Sequence, residues 1–207
     1  GVADVLTGKV CACGKLTDTI AADINDYPST VNFGDPFKNY YKEDIYVGYR
    51  YFETFAGDKV LYPFGYGLSY TTFETRAEIL KNTGDEITVF ATVSNTGEVR
   101  GKEVVQVYVK VPQGKLGNPA RKLIGFAKTK ELAPGEQEEV CIVIQKYDMA
   151  SYDDSGVTGH KSCYVLEGGC YEVFVGSDVR SAVSVGCYEE EFRVIEELEE
   201  AYAPVEK

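Results

Sequence analysis

The sequence predicts a mainly β protein, an antiparallel β-sandwich with an irregular portion ahead of it and a helix behind it. Three observations carry this reading. Between residues 73 and 187 apolar and polar residues alternate with period two in one short segment after another. Turn-forming Gly, Pro and Asn separate those segments. The composition, 44% apolar and 26% charged over 207 residues, supplies the material for a real core.

In chain order, Val2 to Leu6 reads as the end of an amphipathic helix with Gly8 as its stop, an unusual way for a protein to begin and one that suggests an excised fragment or a matured product. Lys15 to Ile20 is strand-like, and a loop rich in Asn, Asp, Pro and Gly follows. From Tyr40 to Tyr70 eleven Tyr and Phe residues crowd together without a long period of 3.6, so they are expected to cover the surface of another domain rather than form their own core. Strands are expected at Glu74 to Lys81, Glu86 to Ser94, Glu103 to Val111, Lys122 to Lys130, Glu139 to Gln145, Ser162 to Leu166, Tyr171 to Gly176 and Ala182 to Cys187. Ile87, Val89, Ala91 and Val93 fall on one face of the second, and Val105, Val107, Val109 and Val111 on one face of the third. A hairpin turn at Glu167 to Gly169 would bring Cys163 and Cys170 onto adjacent strands, with register deciding whether they pair. Tyr188 to Lys207 reads as an acidic helix with Phe192, Ile195, Leu198 and Tyr202 on one side and Pro204 as its stop. Eight Glu against Arg193 and Lys207 place half of the net charge of −12 in these twenty residues.

Composition also restricts function. Lys and Arg total 21 against 33 acidic residues, so a nucleic-acid backbone or an anionic membrane surface is repelled, and neither is expected as a partner. With His160 the only histidine, a catalytic triad would have to be built around it alone, and a multi-histidine metal site has no second member. No cofactor and no metal are expected. The six cysteines read as reduced thiols, which favours the cytoplasm weakly and leaves secretion open. Cys11 and Cys13, one residue apart, make at most half a metal site. Asp153 and Asp154 sit in a turn and read as a solvated loop rather than a catalytic pair.

Two runs give a more specific signal: Tyr46-Val-Gly-Tyr-Arg-Tyr-Phe-Glu53, and Leu61-Tyr-Pro-Phe-Gly-Tyr-Gly-Leu-Ser-Tyr-Thr-Thr-Phe-Glu74. They closely resemble the segment that leads into the last domain of family 3 glycoside hydrolases of the β-glucosidase type. Val93-Ser-Asn-Thr-Gly97, Arg121-Lys-Leu-Ile-Gly-Phe126, Leu132-Ala-Pro-Gly-Glu136 and Gly169-Cys-Tyr-Glu-Val-Phe-Val-Gly176 look like that family's fibronectin-III-like domain. Ala3 to Gly8 and Gly14 to Thr19 resemble the closing strands of its α/β sandwich domain. The resemblance, which covers nearly the whole chain up to about residue 187, implies a fibronectin-III/immunoglobulin-like sandwich over 73–187 and an irregular α/β remnant and linker over 1–72; the acidic helical tail over 188–207 lies beyond it.

The resemblance also implies a retaining hydrolase of β-glycosidic bonds, with an Asp nucleophile on a (β/α)8 barrel and an acid/base Glu on the α/β sandwich domain. No position here matches either motif, so no catalytic residue is assigned. The expected role is therefore non-catalytic support of catalytic domains elsewhere in the same polypeptide, with carbohydrate reached only through that parent. Tyr62, Phe64 and Tyr66 are the residues expected nearest the sugar in the parent, although Gly65, Gly67 and Pro63 explain the same motif as a structural joint. Arg50 is a candidate for an ion pair across the domain seam. Two other readings remain: a carbohydrate-binding module using the sixteen Tyr and ten Phe, or a structural interaction sandwich. Exposed aromatics also predict a non-native dimer when covering domains are missing. The acidic helix beyond Cys187 resembles family members with permuted domains, in which the barrel follows the sandwich.

Overall fold

The computed structural model describes residues 1–38 and 40–202. The expected stop at Pro204 lies outside the described residues. A short helix α1 (Val2–Leu6) opens the chain, and a two-residue strand β1 (Ile20–Ala21) pairs antiparallel with β2 (Val60–Tyr62). Between them lie three short 3-10 turns (Ile24–Asp26, Pro28–Val31 and Gly57–Lys59) and the helix α2 (Tyr49–Phe55). The strand expected over Lys15 to Ile20 is therefore almost all extended coil.

The sandwich is built from β3 (Phe73–Thr83), β4 (Glu86–Asn95), β5 (Val104–Lys110), β6 (Lys122–Lys128), β7 (Gln137–Gln145), β8 (Ser151–Asp153), β9 (Cys163–Leu166), β10 (Gly169–Gly176), β11 (Val183–Glu190) and β12 (Arg193–Glu197). One sheet runs β3-β4-β7 and the other β11-β10-β5-β6, with a third short sheet β12-β9-β8. Every strand pair is antiparallel. The alternation seen in the sequence becomes the core: Ile87, Val89, Ala91 and Val93 of β4 and Ile142 and Ile144 of β7 face Val105, Val107 and Val109 of β5 and Val173 and Val175 of β10. Burying each such side chain contributes about 1.5–3 kcal/mol, so this one cluster dominates the stability of the molecule.

Strand β5 departs from simple alternation because both of its faces are covered. Gln106 and Tyr108 point away from the sandwich core and are themselves buried, at 4% and 0% exposure. What covers them is the N-terminal portion: Tyr49 and Phe64 pack against Tyr108, Phe174, Val179 and Ala182 in a second, smaller core.

Over 188–202, the described part of the helix expected at 188–207, no helix is formed. Tyr188 to Glu190 complete β11 and pair with Gly169 to Tyr171, and Arg193 to Glu197 form β12 against β9. The spacing of Phe192, Ile195 and Leu198 gave a helical signal, but tertiary pairing overrides it. Tyr188 stacks on Tyr171 at 5.6 Å, Ile195 packs against the main core, and Glu190 forms an ion pair with Lys146 that is almost closed to solvent. Lys161 pairs with Glu200, while the tail's own Arg193 pairs with Asp85.

The expected β9–β10 hairpin is also absent. Strand β9 pairs with β8 and β12 while β10 pairs with β5 and β11, so Glu167 and Gly168 carry the chain from one sheet to another. Cys163 is buried and Cys170 exposed, and both are free thiols.

Candidate functional site

The two motif runs converge on one face of the sandwich and make a joint. Gly65 has φ of +83°, a left-handed conformation that disfavours a side chain, and a Cβ there would collide with the amide of Gln106. Its carbonyl accepts from Gln106 Nε2 at 3.3 Å, and the same nitrogen donates to Ser177 O at 2.5 Å. The Tyr108 hydroxyl donates to Gln106 Oε1 at 2.5 Å, so burying Gln106 leaves no polar atom of its amide idle. A Cβ on Gly67 would run into the carbonyl of Gly14, which explains the second glycine of the motif.

Helix α2 is clamped from three directions. The Leu123 N–H donates to the Tyr49 hydroxyl at 2.9 Å, the Ala120 N–H donates to Thr54 Oγ1 at 2.9 Å, and Arg180 binds Glu53 at 2.9 and 3.1 Å and Gly57 O at 2.7 Å. Further along, Thr71 donates to the buried Asn95, whose amide also holds Val99 O and Leu132 O at 2.8 and 2.9 Å. Asn95 thus locks the end of the second motif to two turns of the sandwich, and nothing in its sequence context beyond a turn signal singled it out.

Tyr62, Phe64 and Tyr66 divide into two groups. The ring of Phe64 stacks on Tyr49 at 4.5 Å and belongs to the second core. Tyr62 and Tyr66 lie on the other side of the chain, 5.2 Å apart, and line a shallow apolar depression of about 570 Å3 with Ala12, Leu16, Ile20 and Leu68. Around it the N-terminal portion is bare: Val31, Phe33, Phe37 and Tyr41 are 86 to 93% exposed, and Leu68 is 70% exposed.

Asp153, expected in a solvated loop, is fully buried. Burial alone would raise its pKa, but the Thr158 hydroxyl and the N–H groups of Thr158, Gly156 and Val157 all donate to it and hold it down to about 2. It therefore organises the 154–158 turn, whereas Asp154 is exposed. A general acid would need its pKa raised; Asp35 and Glu136 are also lowered, mainly by backbone N–H groups. His160 is exposed and stacks against Phe192 at 5.5 Å. Cys11 and Cys13 are used as contacts: the Tyr70 N–H donates to Cys11 Sγ at 3.3 Å and Lys128 Nζ to Cys13 Sγ at 3.1 Å. Among the described residues no three His, Cys, Asp or Glu side chains come together in a metal-binding group, and no helix is long and apolar enough to cross a membrane.

Comparison with known proteins agrees with this architecture. A fibronectin type III-like domain model matches residues 103–179. A β-glucosidase of Ruminococcus albus is 54% identical over 206 residues, 99% of this chain, and β-glucosidase A of Butyrivibrio fibrisolvens is 50% identical over 197 residues. The chain spans only 22% and 24% of the length of these two relatives. Among solved structures, a β-glucosidase from Paenibacillus barengoltzii superposes with a TM-score of 0.93 at 54% identity, covering 97% of this chain and 23% of that one. A family 3 β-glucosidase from Bifidobacterium adolescentis gives 0.83 at 36% identity, covering 92% of this chain and 28% of that one. The chain corresponds to a portion, about a quarter, of the family 3 glycoside hydrolases of the β-glucosidase type, and its sandwich carries their fibronectin type III-like domain.

Proposed function

We propose that this chain is the non-catalytic C-terminal portion of a β-glucosidase-like enzyme, in which the parent hydrolyses β-glycosidic bonds with two carboxylates that lie outside these residues. The observation that carries the reading is the combination of similarity to β-glucosidases over nearly the whole chain with coverage of only about a quarter of their length. The sandwich braces the catalytic domains through the joint, and the bare apolar face of residues 1–72 is the surface those domains cover. Tyr62 and Tyr66 are the members of the aromatic trio left free to face them, while Phe64 holds the joint closed. The acidic segment after Cys187 closes the sandwich as strands, so it no longer argues for a permuted domain order.

The isolated chain is inert in this reading. Purified 1–207 is expected to give no turnover of an aryl β-glucoside above buffer, while the complete polypeptide hydrolyses it. Turnover by the chain alone would overturn the assignment of the carboxylates to other domains.

A further inference from the structure

Away from the apolar face, a groove of about 510 Å3 runs between the start of α2 and the edge sheet β12-β9-β8. Its volume is within the range of small-molecule sites. One wall is a row of three tyrosines: Tyr164 of β9 is directly opposite Tyr152 of β8, with ring centroids 5.2 Å apart, and Tyr147 lies 5.3 Å from Tyr164 on the other side. Tyr147 and Tyr152 are 45% and 42% exposed, although an ordinary sandwich surface needs no ladder of rings. The ladder is held in place, because the Tyr147 hydroxyl donates to Glu196 at 2.7 Å.

The opposite wall carries Arg50 and Asp44, and the rim carries Asp148 and Asp154. Among the described residues the Arg50 guanidinium makes neither an ion pair nor a side-chain hydrogen bond. Lys122 forms the floor, donating to Met149 O at 3.0 Å and Ala150 O at 3.1 Å, which leaves one ammonium proton uncommitted. Burial, with the neighbouring Arg50 charge adding to it, lowers the Lys122 pKa to about 8. Asn118, nearly fully buried, is fixed by Pro112 O and the Ser151 hydroxyl.

This lining has a definite chemical preference. Two cations against three carboxylates leave the groove close to electroneutral, so it selects neither a phosphate nor a polycation. Charged donors and acceptors across from exposed rings match a ligand with many hydroxyls and apolar C–H faces, in which hydroxyls take the Arg and Asp partners and a ring face lies on a tyrosine. We propose that the groove between Arg50 and the Tyr147–Tyr164–Tyr152 row is a non-catalytic binding site for a neutral oligosaccharide. It stands on this lining alone and does not depend on the proposed catalytic role of the parent.

The probe is cellotetraose, titrated into the 207-residue chain and followed by calorimetry and amide chemical shifts. Saturable binding in the low millimolar range or tighter is expected, with shifts centred on residues 44–50, 116–122 and 147–164. Tyr152→Ala and Arg50→Ala should each weaken it about tenfold or more, with unchanged far-UV circular dichroism and melting curves. Phe126→Ala, which removes an exposed ring outside the groove, should bind as the parent does. The proposal is overturned by absence of saturation at 20-fold the expected range, by shifts centred elsewhere, or by Tyr152→Ala and Arg50→Ala variants that are folded and bind normally. Tighter binding of glucose 6-phosphate than of cellotetraose would likewise overturn the neutral class.

Discussion

The two parts of the molecule hold themselves together in different ways. Among the described residues, the only buried apolar side chains from the first 72 residues are Ala21 and Phe52, while the sandwich contributes cores from both sheets. The N-terminal portion is fastened instead by specific hydrogen bonds to the sandwich and leaves Val31, Phe33, Phe37 and Tyr41 in water. A core built from area tolerates the loss of neighbours, whereas a segment built from a few directed contacts depends on whatever it touches. The sandwich is accordingly the unit that folds, and the N-terminal portion is the unit that docks.

The largest test of this contrast is inside the sandwich. Lys146 and Glu190 are 7% and 11% exposed and pin β11 to the turn after β7. Lys146→Ala leaves Glu190 buried without a counter-charge, which should cost about 4 kcal/mol and lower the unfolding midpoint of the whole chain in urea. A helical tail, fraying independently, would lose nothing by this change, so a midpoint unaltered within error would contradict the strand pairing of residues 188–190.

Second comes the joint. Gly65→Ala places a methyl group into Gln106 at φ of +83°, at a cost of about 3 kcal/mol for strain and displacement together. Because Gly65 meets the face of β5 that points away from the main core, the loss should be local. Hydrogen exchange should accelerate for residues 49–66 while the amides of β4 and β7 keep their protection. Equal acceleration in both places would show the two parts to be a single cooperative unit.

The same contrast decides what the sequence could reveal. Strands β4, β5 and β7 were legible because a half-buried strand writes its own face into its residues, as Ile87, Val89, Ala91 and Val93 show. Gln106 and Tyr108 broke the pattern because their environment is supplied by Tyr49 and Phe64, more than forty residues upstream. The tail failed for a related reason. A helix and an edge strand can share the spacing of Phe192, Ile195 and Leu198, and only the partner strand β9 decides between them. Asp153 looked solvated because its donors, Gly156 to Thr158, are placed by turn geometry rather than by residue type. Arg50 and the tyrosine row come from distant segments, so no motif could place them in one groove.

Asp153 gives the third test, again on the sandwich side. Its folded pKa of about 2 lies below the ordinary carboxyl value of 3.8, so the stability it contributes is complete above that value and disappears as pH falls through about 2. Asp153→Asn exchanges charge-assisted hydrogen bonds for neutral ones and should cost about 2 kcal/mol near neutral pH. It should also flatten the fall in melting temperature between pH 4 and 2. An acid limb as steep in the variant as in the parent would mean that other carboxyls govern it.

The smallest effect in the chain is the one that most sharpens the contrast. Phe33 and Phe37 are 87% and 93% exposed, so Phe33→Ser with Phe37→Ser should change the stability of the isolated chain by less than about 0.5 kcal/mol. A surface that carries large rings without using them is one made to be covered. The double variant should therefore do two things that its stability does not report. It should reduce concentration-dependent self-association of the chain in sedimentation, because two exposed rings are gone, and, if other domains cover those rings as proposed above, it should lower the melting temperature of the complete polypeptide. Loss of stability in the chain itself would place Phe33 and Phe37 in a core of this portion's own. No effect in the complete polypeptide would leave the N-terminal portion without the partner that its composition requires.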